Sequence, residues 1–166
     1  FKNQKFARSD IEKNLTKYFK VKKLRIHKNK KIKKIKKITI FPISNSSMRI
    51  MPIVLLEKIV EFFSKSYLVE IILDSNSSLS NYFEKNLINN RASKFYPKNL
   101  DALLSLIESV DFGIFMDSGP LHIAKILNIR GVLIENSVSS KILLNDFYSI
   151  KSFKNTYQSQ FCKAPC

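Results

Sequence analysis

Phe112-Gly113-Ile114-Phe115-Met116-Asp117-Ser118-Gly119-Pro120-Leu121-His122-Ile123-Ala124-Lys125-Ile126-Leu127 is the stretch of this 166-residue chain that decides its architecture. Phe112 to Met116 is an apolar run of strand length without polar alternation, which suits a strand covered on both faces of a parallel α/β sheet. A turn follows at once. Asp117 and Ser118 are N-cap residue types, Gly119 permits close backbone approach, and Pro120 fits the first helical position because its missing N–H has no intrahelical use. Ile123, Ala124 and Leu127 then give a helical apolar face. A helix starting just past the carboxyl end of a parallel strand aims unpaired N–H groups and a partial positive charge at whatever lies over the sheet. Such a start suits a phosphate, and it is also simply a sound way to begin a helix.

Outward from this stretch the pattern repeats. Residues 130–134 read as a strand downstream, and residues 100–110 form an upstream amphipathic helix with Leu103, Leu104, Leu106 and Ile107 inward. Further strands are expected at 38–43, 68–73 and 93–96. Helices are expected at 52–63, with Pro52 in the first turn, and at 79–90. Strands alternating with helices predict the α/β class, a Rossmann-like doubly wound parallel sheet. Sheets of this kind bind ligands over the carboxyl ends of their strands, where three polar loops fall: 44–49, 74–78 and 117–122. Ser44, Asn45 and Arg49 bring small donors and a forked cation, a set suited to a diphosphate and also found in ordinary polar loops. Asp74 is placed either to accept from ribose hydroxyls or to form its own turn.

The string Asp117-Ser118-Gly119-Pro120-Leu121-His122-Ile123-Ala124, between its two strands, resembles the signature of glycosyltransferase family 9, the lipopolysaccharide heptosyltransferases. That signature reads Asp-Ser/Thr-Gly-x-x-His-x-Ala-x-x-Leu-x-x-Pro, and Arg130 stands near the place of its Pro. Family members also carry a small-hydroxyl pair and then a Lys three residues before a Pro; here Ser44 and Asn45 lie near the pair, and Arg49 stands three before Pro52. The resemblance covers roughly residues 8–145 and implies the C-terminal, donor-binding half of a glycosyltransferase B fold. It implies inverting, metal-free transfer of a sugar from a nucleoside-diphosphate donor, such as ADP-heptose, to a lipopolysaccharide core or other lipid-linked acceptor.

Under that resemblance the diphosphate would be held by Ser44, Asn45, Arg49, Asp117, Ser118, Gly119, Leu121 and His122, with Asp74 near the nucleoside. His122 also reads as a packed helix residue. No catalytic residue, metal ligand or cofactor is expected in this stretch, because the family's base lies in an N-terminal acceptor domain. Residues 8–20, an amphipathic helix with Ile11, Leu15, Tyr18 and Phe19 on one side, correspond to the helix that leaves that domain. The chain therefore reads as a fragment or as a protein reduced to one half, and the alternatives to a transferase half are a non-catalytic or degenerate nucleotide-sugar-binding fragment and a basic membrane- or nucleic-acid-binding module. One departure concerns the donor: Glu135-Asn136-Ser137-Val138-Ser139-Ser140 replaces a Gly-Pro-Thr-like loop, so Glu135 brings a negative charge to where phosphates would come. Cys162 and Cys166 only loosely match a Cys-x-Pro-Cys near the family's C-terminus.

The net charge is +16, and residues 20–37 hold eleven Lys and Arg among eighteen positions. Biased codon usage also produces a chain rich in Lys, Ile, Asn and Phe. Like charges packed so densely stay solvated, so the run reads first as a linker. Its end, Lys30 to Lys37, also suits anionic lipid headgroups, each basic residue near them contributing on the order of 1 kcal/mol. Nucleic acid is disfavoured because the run lacks aromatic stacking residues. Three segments result: 1–37 helix and basic linker, 38–150 nucleotide-sugar-binding domain, and 151–166 C-terminal tail. With no long apolar run and no signal-peptide pattern, the expected location is the cytoplasm, peripherally on the inner face of the bacterial inner membrane. Both cysteines lie in the tail, which excludes a disulfide scaffold.

Overall fold

A computed structural model describes residues 13–15, 17, 34–144 and 149–154. Six strands, β1 (Lys37–Phe41), β2 (Leu68–Ile72), β3 (Ser93–Phe95), β4 (Phe112–Phe115), β5 (Gly131–Glu135) and β6 (Ile150–Lys154), form one sheet. Every pairing is parallel, and the spatial order is β3-β2-β1-β4-β5-β6. The chain winds outward from β1 to one edge, then returns to β4 and winds to the other. Loops following β1 and β4 therefore diverge at a switch point and leave a crevice between them.

Helices α1 (Ile53–Phe63), α2 (Ser78–Asn86), α3 (Leu100–Glu108), α4 (Gly119–Ile126) and the single turn α5 (Ser140–Leu143) fill the connections. Strand residues alternate between two cores. Ile38, Ile40, Val69, Ile71, Ile114 and Met116 pack with Leu56 and Val60 of α1 and Phe83 of α2. Phe41, Ile72, Phe115 and Leu133 pack with Leu104 and Ile107 of α3 and with Leu121, Ile123 and Ala124 of α4. The unbroken apolar strands of the sequence are thus covered on both faces, as a parallel sheet requires.

Local chemistry sets the helix ends. The Ser77 side chain accepts from the Leu79 N–H and Asn99 from the Ala102 N–H, each satisfying a first-turn donor. Past Leu127, Asn128 adopts φ 53°, and the Ile129 N–H reaches back to the Ala124 carbonyl, so the chain leaves α4 in the left-handed conformation that asparagine tolerates. Lys125, buried, donates from Nζ to the Leu143 carbonyl and ties α4 to α5.

Two glycines answer to one ring. Phe41 and Phe115 are register partners on β1 and β4, their rings stacked with centroids 5.0 Å apart. A Cβ on Gly113 would sit 2.2 Å from the Phe115 ring, and one on Gly131 would sit 2.3 Å from the Gly113 carbonyl oxygen. Both positions must lack a side chain for the ring to lie where it does.

The sheet runs past the boundary expected at residue 150. Ile150–Lys154 pairs along β5 from Gly131↔Ile150 to Glu135↔Lys154, where the sequence reading began a tail. Only Ile150 in this strand is buried, so its composition carries no core signal and its partner alone makes it a strand. At the other end, β1 takes in Lys37, whose Nζ lies 2.9 Å from Glu70 Oε2. Of the helix expected at 8–20, residues 13–15 and 17 are helical, and Leu15 packs against the α3–α4 core. The rest of that helix, the basic run up to residue 33 and the tail from 155 lie outside the described residues. Among the described residues no helix is long and apolar enough to cross a membrane.

Candidate functional site

Over the carboxyl ends of β1, β2, β3 and β4 lies a cleft of about 410 Å³. Its apolar wall comes from Phe41, Ile43, Ile72, Leu73, Leu100 and Leu103, and its polar rim from Ser44, Asn45, Asp74, Asn76, Lys98, Asn99, Ser118 and Gly119. An apolar slot bordered by a few polar groups is the usual make-up of a site for a ligand with a flat apolar part and a charged part.

The rim is assembled by long-range contacts between the loops after β1 and β4. Ser44 is buried, and its hydroxyl donates to the Asp117 carbonyl over 2.7 Å. Arg49 ends a single 3-10 turn, Ser47–Arg49, and its Nη1 lies 3.2 Å from Asp117 Oδ2. The Asp117 side chain is 3% exposed against 32% for Arg49, so the carboxylate anchors the pair and the guanidinium keeps solvent access. Asp117 thereby fixes the turn that starts α4 from both its backbone and its side chain.

Ser118 is the N-cap of α4 with extended backbone, yet its hydroxyl does not cap the helix; it turns back to the Met116 carbonyl at 3.3 Å. Among the described residues no hydrogen bond occupies the N–H of Ser118 or Gly119, and both residues line the cleft. A Cβ at Gly119 would meet nothing within 4 Å, so the helix start faces open space. Uncapped amides and a helix dipole directed into a cleft form an anion-binding arrangement.

The residues singled out from the sequence divide into two groups. Ser44, Asn45, Asp74, Ser118 and Gly119 border the cleft, and Arg49 and Asp117 stand beside it through their ion pair. Leu121 and His122 lie in α4, where residues 121–126 are all buried. Leu121 is fully buried, its N–H donating to the Ser118 carbonyl at 3.1 Å, and His122 is 9% exposed. Neither borders the cleft. For Leu121 helical geometry explains this: the first turn sends the residue three positions after the cap back under the helix, into the α3–α4 core. Asp74 forms an Asx turn, Oδ1 accepting from the Asn76 N–H over 2.9 Å, and keeps its place on the rim. Glu135 is 7% exposed and does not line the cleft, so its charge stands away from the space where it was expected to intrude.

Pro97, Lys98 and Asn99, in the loop after β3, are cleft residues that the sequence reading passed over. A signal existed, since this loop too follows a strand's carboxyl end. The short and largely exposed β3 obscured it. Tyr96, just ahead of the loop, donates from its hydroxyl to Glu84 Oε1 on α2. Partial burial, reinforced by the hydrogen bond to Glu84 and its charge, pushes the phenol up to about 12, so it holds its proton and this brace throughout the neutral range. Among the described residues no group of three or more His, Cys, Asp or Glu side chains is placed to hold a metal ion.

No family model matches the sequence, and no curated protein matches it closely. Solved structures do match. E. coli heptosyltransferase WaaC with ADP superposes with a TM-score of 0.58 at 10% identity, over 72% of this chain and 37% of that one. E. coli ADP-heptose lipopolysaccharide heptosyltransferase II gives 0.61 at 15% identity, over 72% and 38%. The dodecameric iron-containing heptosyltransferase TibC, in complex with ADP-D-β-D-heptose, gives 0.54 at 18% identity, over 82% and 35%. The class is thereby set at the level of fold: a Rossmann-like α/β domain of the kind found in the family 9 heptosyltransferases, as the Asp117–Ala124 string implied. This chain spans a little over a third of the length of those structures.

Proposed function

We propose that the chain is the donor-binding part of a heptosyltransferase-like glycosyltransferase, and that its cleft holds a nucleoside diphosphate sugar such as ADP-heptose. The observation that carries this reading is the uncapped start of α4, whose Ser118 and Gly119 amides open onto the same cleft as Ser44, Asn45, Asp74 and Lys98. In this reading the diphosphate lies against those amides and the Ser44–Asn45 loop, with Arg49 within reach as a forked cation. The base and ribose take the apolar side, with the free part of the Asp74 carboxylate facing the ribose hydroxyls.

The cleft holds the leaving diphosphate and thereby stabilises the charge that develops on it as the glycosidic bond breaks. Deprotonation of an acceptor hydroxyl needs a base. In this reading both that base and the engagement of a lipopolysaccharide core acceptor belong to an N-terminal domain of the enzyme. WaaC with ADP and TibC in complex with ADP-D-β-D-heptose share the fold, which supports a nucleoside diphosphate sugar as the ligand proposed for this cleft.

Isothermal titration calorimetry with ADP and ADP-sugars tests this. The expected result is weak but saturable binding, stronger for ADP than for AMP, together with no sugar transfer by the chain alone. Absence of ADP binding by the folded chain would overturn the reading in favour of a domain that keeps the fold without the ligand.

A further inference from the structure

Past the start of α4, on the side away from the cleft, two polar groups have no use within the fold. Glu135 ends β5 and is 7% exposed. Leu133 belongs to the α3–α4 core while Val132 and Ile134 pack on the opposite one, so strand alternation sets the Glu135 side chain on the α4 side of the sheet. Among the described residues no hydrogen bond or ion pair reaches its carboxylate; Lys154, its register partner on β6, is exposed and makes no ion pair with it. The neighbouring Asn136 accepts at Oδ1 from the Ser137 N–H over 2.8 Å, which leaves its Nδ2 as a buried donor without a partner. A buried carboxylate and a buried amide donor each weaken a fold unless something else satisfies them.

Their place in the sheet says what could satisfy them. Phe115 and Leu133 are register partners, and carrying that register two residues on brings Asp117 level with Glu135. Neighbouring strands lie about 5 Å apart. Glu135 is therefore about one strand spacing from the turn whose Ser118 and Gly119 amides open onto the cleft, on its β5 side, whereas the apolar wall lies towards β2 and β3. The two acids differ in what they face. Asp117 has Arg49 as its counter-ion, and Glu135 has none.

Resting on the donor-binding reading, we propose that Glu135 and Asn136 form the subsite for the donor's sugar, the carboxylate accepting from ring hydroxyls and the Asn136 Nδ2 donating to one. With the base over β2 and β3 and the diphosphate at the start of α4, the sugar is the part left to extend towards β5. A hydroxyl both donates and accepts, so neighbouring hydroxyls can use the carboxylate and the amide together. The same carboxylate selects for a neutral, hydroxyl-bearing sugar. A uronic acid or a further phosphate in that place would meet like charge. The acid that replaces a Gly-Pro-Thr-like loop then lies beyond the phosphates and works as a hydroxyl acceptor.

Calorimetry on the full chain with ADP, ATP and ADP-D-β-D-heptose tests this. The parent should bind the ADP-heptose about tenfold more tightly than ADP, the gain of hydrogen bonds to a charged acceptor. ATP, which sends a further phosphate the same way, should bind about threefold more weakly than ADP. Glu135→Gln should remove most of the ADP-heptose advantage while raising ADP affinity roughly twofold, opposite changes that a loss of structure does not produce. Its melting temperature should equal or exceed the parent's, because no partner is lost and a buried charge is removed. Asn136→Asp keeps the acceptor for the Ser137 N–H but removes the donor, and should cut the advantage by at least about threefold. The proposal is overturned, with the donor site left in place, if ADP-heptose binds the parent no more tightly than ADP or if the advantage survives both substitutions. It is equally overturned if Glu135→Gln melts more than about 4 °C below the parent, which would make the carboxylate structural. Failure of all three nucleotides to bind the folded chain would instead remove the donor-binding reading, and this subsite with it.

Discussion

Arg49 and Asp117, separated by 68 positions in the chain, meet through an Nη1–Oδ2 contact of 3.2 Å that joins the loop after β1 to the loop after β4. The pair sits at the switch point of the sheet, where the crevice opens. Its asymmetry in exposure makes Asp117 the fixed member and Arg49 the one able to turn towards an anion.

Replacing Arg49 by Ala should weaken ADP binding about 10- to 100-fold, the range of a lost hydrogen bond between charged partners. The same change leaves the buried Asp117 carboxylate without this cation and should lower stability by about 1–3 kcal/mol. Arg49→Lys should recover more of the stability than of the binding, because an ammonium supplies the charge without the fork. Calorimetry and thermal denaturation on the same preparations measure the two effects. Equal ADP affinity in parent and Ala variant would remove Arg49 from the site.

Gly119→Ala separates the helix start as a structural element from the helix start as a ligand site. A Cβ there meets nothing within 4 Å and the backbone conformation is ordinary, so the melting temperature should stay within about 2 °C of the parent. The added methyl projects into the space a phosphate would use, and ADP affinity should fall about tenfold or more. Unchanged affinity would mean that the anion does not approach the Gly119 amide.

Lys98 stands on the rim opposite α4, on a loop braced by the Tyr96–Glu84 hydrogen bond. Lys98→Ala should weaken ADP binding about threefold to tenfold, and the loss should shrink as salt is raised, since an exposed cation acts through a screened field. Titrations at low and high ionic strength would show this. A salt-independent loss would point to displacement of the loop instead.

Gly131→Ala is a test of the core. The new Cβ would lie 2.3 Å from the Gly113 carbonyl oxygen and 2.8 Å from the Phe115 ring, both held by the β4–β5 pairing and the stack on Phe41. Stability should fall by roughly 1–3 kcal/mol or more, readable in urea denaturation, because neither neighbour is a flexible side-chain end. A variant as stable as the parent would show that the two strands can spread at this point.

What the sequence by itself determined is local. An apolar run ending in Asp117-Ser118-Gly119-Pro120 specifies strand, turn and helix, because capping, proline placement and hydrophobic periodicity act within a few residues. The same logic foretold five of the strands and the parallel, two-sided sheet that buries them. Tertiary structure decided the rest. Ile150–Lys154 is a strand because β5 offers an open edge, which a mostly exposed segment does not announce. Lys98 reaches the cleft because the sheet order sets β3 and β2 beside β1, and the Arg49–Asp117 pair forms because the same order sets β1 beside β4. Leu121 is turned into the α3–α4 core and off the rim because a helix rotates its residues by a fixed angle, and only docking on the sheet tells which side is in. Spacing along a chain fixes the kind of element; which distant loops share a rim depends on the order in which strands come to lie side by side.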